Sequence, residues 1–166
     1  MTGAKILLET GMQAASDGLA DLAGATWMMS LPQRQAAYRG HPAGRGRPGL
    51  SADDGTALVA VTFGNRAVLA SDRVILSVRW EPVEPGNECT VLLDGSVTLA
   101  PAAAREQSVL TLAGTFEMPT GALTPDACEQ LRRELSEASW EFITSVADDV
   151  TSAAASGPEG GLFGPV

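Results

Sequence analysis

Between residues 56 and 118 apolar and polar side chains alternate with a period of two in four successive runs. TALVAVTF puts Ala57, Val59, Val61 and Phe63 on one face. DRVILSVRWEP puts Val74, Leu76, Val78 and Trp80 on one face and Arg73, Ser77, Arg79 and Glu81 on the other. CTVLLDGSVTLA groups Val91, Leu93, Val97 and Leu99, and SVLTLAGTFEM groups Leu110, Leu112, Phe116 and Met118. A strand points successive side chains to opposite faces, so each run predicts a half-buried strand. Turn residues separate the runs at Gly64-Asn65, at Glu84-Pro85-Gly86-Asn87 and between Ala102 and Gln107, which predicts antiparallel pairing of neighbours.

After residue 123 the period changes. Thr124 suits an N-cap and Pro125 the first helical position, and the chain then reads DACEQLRRELSEASWEFITSVADDV with apolar residues at 128, 131, 135, 138, 142, 146 and 150. That is one stripe of an amphipathic helix. About 26 helical residues span about 39 Å, enough to lie along a strand of ten residues or so.

The N-terminal third is less regular. AKILLET, residues 4 to 10, has the content of a short strand, and Ser16 is a candidate cap for a helix through Asp17, Leu19, Ala20 and Leu22. A second short helix is expected after Pro32, over residues 33–38, before Gly and Pro dominate residues 40 to 49. An apolar sheet face needs a cover, and an apolar helix stripe needs a floor. The order predicts an α+β helix-grip fold: a curved antiparallel β-sheet wrapped around a long C-terminal α-helix, with two short N-terminal helices. Residues 1–155 form one domain in this reading, and the Gly/Pro-rich residues 156–166 a disordered tail.

Composition narrows the functional classes. A chain of 166 residues can bury a real core. Its formal net charge of −9 sets a field that repels nucleic acid and anionic lipid. The longest apolar stretch, GLADLAGATWMMSL, is interrupted by Asp21 and is too short for a membrane span, and the N-terminus lacks a secretory apolar run. The expectation is a cytoplasmic protein that binds neither nucleic acid nor membrane. Cys89 and Cys128 have no metal-ligand spacing and are expected as buried thiols; no metal and no cofactor are implied.

The chain resembles the SRPBCC superfamily, the helix-grip proteins that include START lipid-transfer domains, the birch-pollen allergen family and polyketide cyclase/dehydratases. More narrowly it is similar to an uncharacterised bacterial branch of these START-like proteins. The resemblance rests on Arg79-Trp80-Glu81-Pro82, then Leu93-Asp94-Gly95-x-Val97-x-Leu99-x-Pro101. It continues through Leu110-x-Leu112-x-Gly114-x-Phe116 and Pro119-x-Gly121 into the terminal helix with Ala138 and Phe142, covering residues 72 to about 150. It implies a cavity between sheet and helix that holds an apolar ligand, and no particular reaction.

The candidate ligand-binding residues are the inward-facing Val59, Val61, Phe63, Val74, Leu76, Trp80, Leu112 and Phe116, with Leu135 and Phe142 from the helix. The same side chains fit a filled core or a cavity lining. Only three Trp, one Tyr and four Phe against abundant Ala and Gly leave room for a cavity on the order of 300 Å³. The first reading is therefore binding of a small hydrophobic ligand, lipid-like or aromatic. The alternatives are a polyketide cyclase/dehydratase-like enzyme using the same cavity, and a protein-interaction domain with a filled core. Inward placement of His41, Tyr38, Asp94, Arg73 or Arg79 would favour catalysis.

Other features are read more plainly. Gly44, Gly46 and Gly49 match G-x-G-x-x-G, but without a preceding strand and a following helix the match reads as a connection. A lid carrying Arg45 or Arg47 to an anionic ligand group is the sharper version. His41, the only histidine, reads as a solvated loop residue. Asp94, before Gly95, is expected to point outward unless a bulge turns it in. Glu129, Glu134, Glu137 and Glu141 read as a solvated helix face. Trp140 falls about 140° from Leu135, on the polar side of the helix. An N-terminal segment or Leu162-Phe163 folding over it is the favoured reading, and a homodimer built on Trp140 is the other. Trp140→Glu leaves the apparent mass in solution unchanged in the first case and lowers it in the second.

Overall fold

The computed structural model describes residues 2–32, 56–69, 71–82, 92–117 and 124–156. Among these residues eight elements follow in order: β1 (Thr2–Leu8), α1 (Met12–Leu22), β2 (Thr26–Pro32), β3 (Thr56–Val68), β4 (Val74–Pro82), β5 (Leu92–Pro101), β6 (Ser108–Glu117) and α2 (Pro125–Ala155). The strands form one antiparallel sheet in the order β1-β6-β5-β4-β3-β2, curled into a half-barrel with α2 along its inner side. The fold is α+β, as the two periodicities predict.

Several expectations are corrected. Ser16 does not cap α1: the helix opens at Met12 behind Gly11, whose extended backbone (φ −62, ψ 155) accepts the first helical bond from the Ala15 amide at 3.0 Å. Met12 to Ala15 offers four residues able to start the helix earlier, so Ser16 lies inside it, buried. Gly64-Asn65 is not a turn but a bulge within β3, where the pairing with β4 shifts register between Phe63 and Arg66. The turn comes later, where the Leu69 amide donates to the Arg73 carbonyl at 2.8 Å. The stretch TWMMSLP, to which the pattern assigned no strand, is β2. The second short helix over 33–38, Tyr38, Arg39, the loop with His41, Arg45 and Arg47, Cys89, the turn at 84–87 and the tail beyond 156 lie outside the described residues.

The bulge has a structural use. It keeps Arg66 opposite Leu76, at the rim of the half-barrel beside α1, where its guanidinium donates to the Ser16 hydroxyl. A bond to a charged donor contributes roughly 1.5–3 kcal/mol, less where water competes, as at this rim. Arg66→Met is expected to cost about 1 kcal/mol, read by calorimetry as a fall in Tm of about 2–4 °C. Ser16→Ala removes the same bond, so the double variant should fall short of the sum of the singles.

The core lies between sheet and helices. Along α2, Leu131, Leu135, Ala138, Phe142, Val146 and Val150 are buried as the stripe requires, whereas Cys128, expected as a buried thiol, is only partly covered on the helix's first turn, and Ile143 and Ala147 are buried too. The extra width is due to α1, which packs on α2 with Gly18 against Val150 and closes one end of the half-barrel. The approach to α1 is fastened by the buried Ser108 hydroxyl, which donates to the Thr10 carbonyl at 2.8 Å, and by Gln107, which bonds both Glu9 carboxylate oxygens at 2.8 and 2.9 Å. Among the described residues no helix is long and apolar enough to cross a membrane.

Candidate functional site

At the end of the half-barrel away from α1, register pairs Trp27 with Val61, Val61 with Trp80, Trp80 with Leu93 and Leu93 with Phe116. Directly paired residues of antiparallel strands share a face, so these five side chains form one row across the inner surface. The helix lowers Phe142 onto that row. Its ring lies 5.3 Å from Trp80, 5.9 Å from Phe63 and 6.2 Å from Trp27, between centroids, while Trp80 also meets Phe116 edge-on at 5.7 Å and Trp27 meets Phe63 at 4.8 Å. Such edge and stacked contacts add about 0.5–1.5 kcal/mol each beyond the area they bury.

The ten residues expected to line a ligand site lie between sheet and helix but are divided over two clusters. Val59, Val61, Phe63, Val74, Leu76, Trp80, Leu112 and Phe142 belong to one buried cluster. Leu135 pairs instead with Leu131 in a second, smaller one. Phe116, only partly buried, touches both. Leu76 and Val74 lie four and six residue pairs along the sheet from the aromatic row, towards α1, so they are remote from the place where the two clusters meet.

Sequence reasoning missed Trp27 and Met29, both partly buried and packed on the main cluster. The usable signal was Gly24, whose positive φ of 78 ends α1 and turns the chain, followed by Trp27 and Met29 two apart. Apolar Met28 on the outer face, 56% exposed, fills in the alternation and hides it.

Among the described residues, Trp80 carries the one fully buried side-chain polar atom that lacks a partner. Its indole Nε1 is buried without a hydrogen bond, although the residue is 0% exposed. The polar residues that would have suggested catalysis lie elsewhere. Asp94 is exposed on the outer face opposite Arg79, with no bulge in β5 to turn it in, and Arg79 bonds Glu81 there at 2.9 Å. Arg73 is exposed beside the turn that joins β3 to β4.

Two hollows on the outside of α2 are lined by described residues. One, of about 450 Å³, lies among Asp126, Glu129, Gln130, Arg133, Glu134 and Glu137 and is a wet, mostly acidic groove. The other, of about 410 Å³, runs between β1 and α2 past Gly3, Ala4, Ser136, Glu137, Trp140 and Glu141. Trp140 is 50% exposed, with the N-terminal strand beside it. Neither hollow reaches the aromatic row.

No family model and no curated protein matches the chain. Among solved structures it is similar to a conserved protein from Geobacillus kaustophilus, at 15% identity over 92% of this chain and 93% of that one, with a TM-score of 0.48. A protein from Thermus thermophilus is similar at 10% identity over 92% and 97%, with a TM-score of 0.40. A third, from Nitrosospira multiformis, is similar at 10% identity over 93% and 92%, with a TM-score of 0.35. Likeness of this degree says nothing about activity or ligand.

Proposed function

We propose that the chain is a cytoplasmic helix-grip domain of the SRPBCC type that binds a small apolar or aromatic molecule between its sheet and α2. The observation that carries this reading is the division of the core. Leu131 and Leu135 in the N-terminal half of α2 connect to the main cluster through Phe116 alone among the described residues, and Phe116 at that division, like Trp27 and Met29 at the β2 end of the row, stays only partly buried. Aromatic side chains that could bury 150–250 Å² each are held short of full burial, and an apolar guest seated between Leu135 and Phe116, over the Trp80 ring, would complete that of Phe116. Each buried CH₂ of such a guest contributes about 0.8 kcal/mol.

Among the described residues binding is favoured over catalysis, because Arg73, Asp94 and Arg79 stand outside this interior and offer it no proton donor or acceptor; His41 and Tyr38 lie outside those residues. The test is native mass spectrometry of the protein purified from its own host, with a thermal-shift panel of lipids and aromatic polyketides. A retained small molecule, or a rise in Tm of about 5 °C or more with one compound class, is expected; binding at 100 times Kd adds about 2.7 kcal/mol. A clean ligand-free mass with no thermal shift would instead indicate a filled core and a role in protein contacts.

A further inference from the structure

The geometry points to Trp80 as the group that selects the ligand: its indole N–H donates a hydrogen bond to a neutral acceptor oxygen, a ketone, ester or ether, on an otherwise apolar guest. This rests on the binding reading above and adds to it the chemical class of the guest. Trp80 is fully buried, yet its Nε1 has no partner. A buried donor left unpaired carries the full cost of its lost hydration, and nearly all such groups in native proteins find a partner in protein, water or ligand. Trp80 also stands where a partner is wanted. Its ring borders Phe116, the side chain that joins the two clusters, and Phe142 at the centre of the larger one.

The surroundings decide the charge of the guest. The row across the strands holds Trp27, Val61, Leu93 and Phe116, and α2 contributes Leu131, Leu135 and Phe142, so no cation faces the indole among the described residues. A carboxylate brought there would lose its water with a single neutral donor in return, whereas a carbonyl loses much less. The site therefore selects against acids and for neutral oxygen compounds. A phenylalanine at position 80 would keep an aromatic ring there without this discrimination.

The experiment compares three probes of similar size on the full chain with ¹⁵N-labelled tryptophan: benzophenone, diphenylmethane and diphenylacetate. Trp27→Phe and Trp140→Phe assign the three indole signals. Benzophenone is expected to bind roughly tenfold more tightly than diphenylmethane, the equivalent of one hydrogen bond to a buried donor, and to move the Trp80 indole proton downfield. Diphenylacetate should bind most weakly. Trp80→Phe should bring benzophenone to the level of diphenylmethane without changing the latter; if that variant does not fold, the shift and the affinity ratio of the unsubstituted protein still decide. Equal affinity for ketone and hydrocarbon with the Trp80 signal unmoved, or held upfield by a neighbouring ring face, overturns the proposal and leaves the pocket standing. Binding of none of the three overturns the pocket as well.

Discussion

Phe142→Ala is expected to destabilise the protein by about 3–5 kcal/mol, the range for emptying a buried aromatic site, and to lower Tm by about 6–20 °C. Phe142 is 2% exposed and its ring meets Trp27, Phe63 and Trp80, residues of three different strands. Removing it takes away the one helix side chain that reaches three of the sheet's aromatic rings, and rings this large collapse poorly into the space left. For a domain whose total stability is about 5–15 kcal/mol, the loss is a large fraction of the whole. Chemical denaturation measures it directly. If the pocket reading holds, the variant should also bind a broader set of aromatic probes, since the vacated volume adjoins the guest site. A cost below about 1 kcal/mol would mean that α2 does not clamp the sheet through this residue.

Gly18→Leu is expected to be comparably severe, at about 3 kcal/mol, and Gly18→Ala to cost about 1–2 kcal/mol. The sign of the alanine result matters more than its size. In an isolated helix Gly→Ala is favourable by about 1 kcal/mol, so propensity alone predicts a stabilised protein. Here a Cβ on Gly18 would stand 2.7 Å from the Val150 carbonyl oxygen and 3.0 Å from its Cα. Those are backbone atoms of α2 and cannot rotate away. The helices must separate, opening the buried row of Ile143, Ala147 and Val150 to water. Denaturant midpoints of the two variants beside the unsubstituted protein check this, and a stabilised Gly18→Ala would show that α1 rides loosely on α2. Gly95 makes the same point within the sheet: a Cβ there would press on the Ala113 carbonyl oxygen and lie 2.8 Å from the Gly114 Cα. A substitution at Gly95 should therefore be resisted although its strand is regular.

The candidate site was legible to the extent that its residues belong to regular elements. Val61, Phe63, Trp80 and Phe116 follow from alternation, and Leu135 and Phe142 from the helical stripe, because a side chain's face is set by its position within its own strand or helix. Trp27 was not legible: β2 is short and its outer face carries Met28, so its period could not be told from a plain apolar run. The start of α1 was misplaced because Ser16 has the chemistry of a cap, and only its distant partner Arg66 gives that hydroxyl another use. Gly64-Asn65 likewise carries turn chemistry that a bulge uses equally well.

The sequence by itself determined that four central strands share an apolar face and that a long helix with a matching stripe must cover it, since both are short-range periodicities enforced by the hydrophobic effect. The tertiary structure decided which strands form the edges, which end of the half-barrel α1 closes, and that Leu131 and Leu135 stand apart from the main cluster. It alone decided that Trp80 keeps an unanswered donor at that division. The physical reason is that a residue type specifies what a side chain can offer, whereas whether the offer is met depends on groups brought near it from elsewhere in the chain.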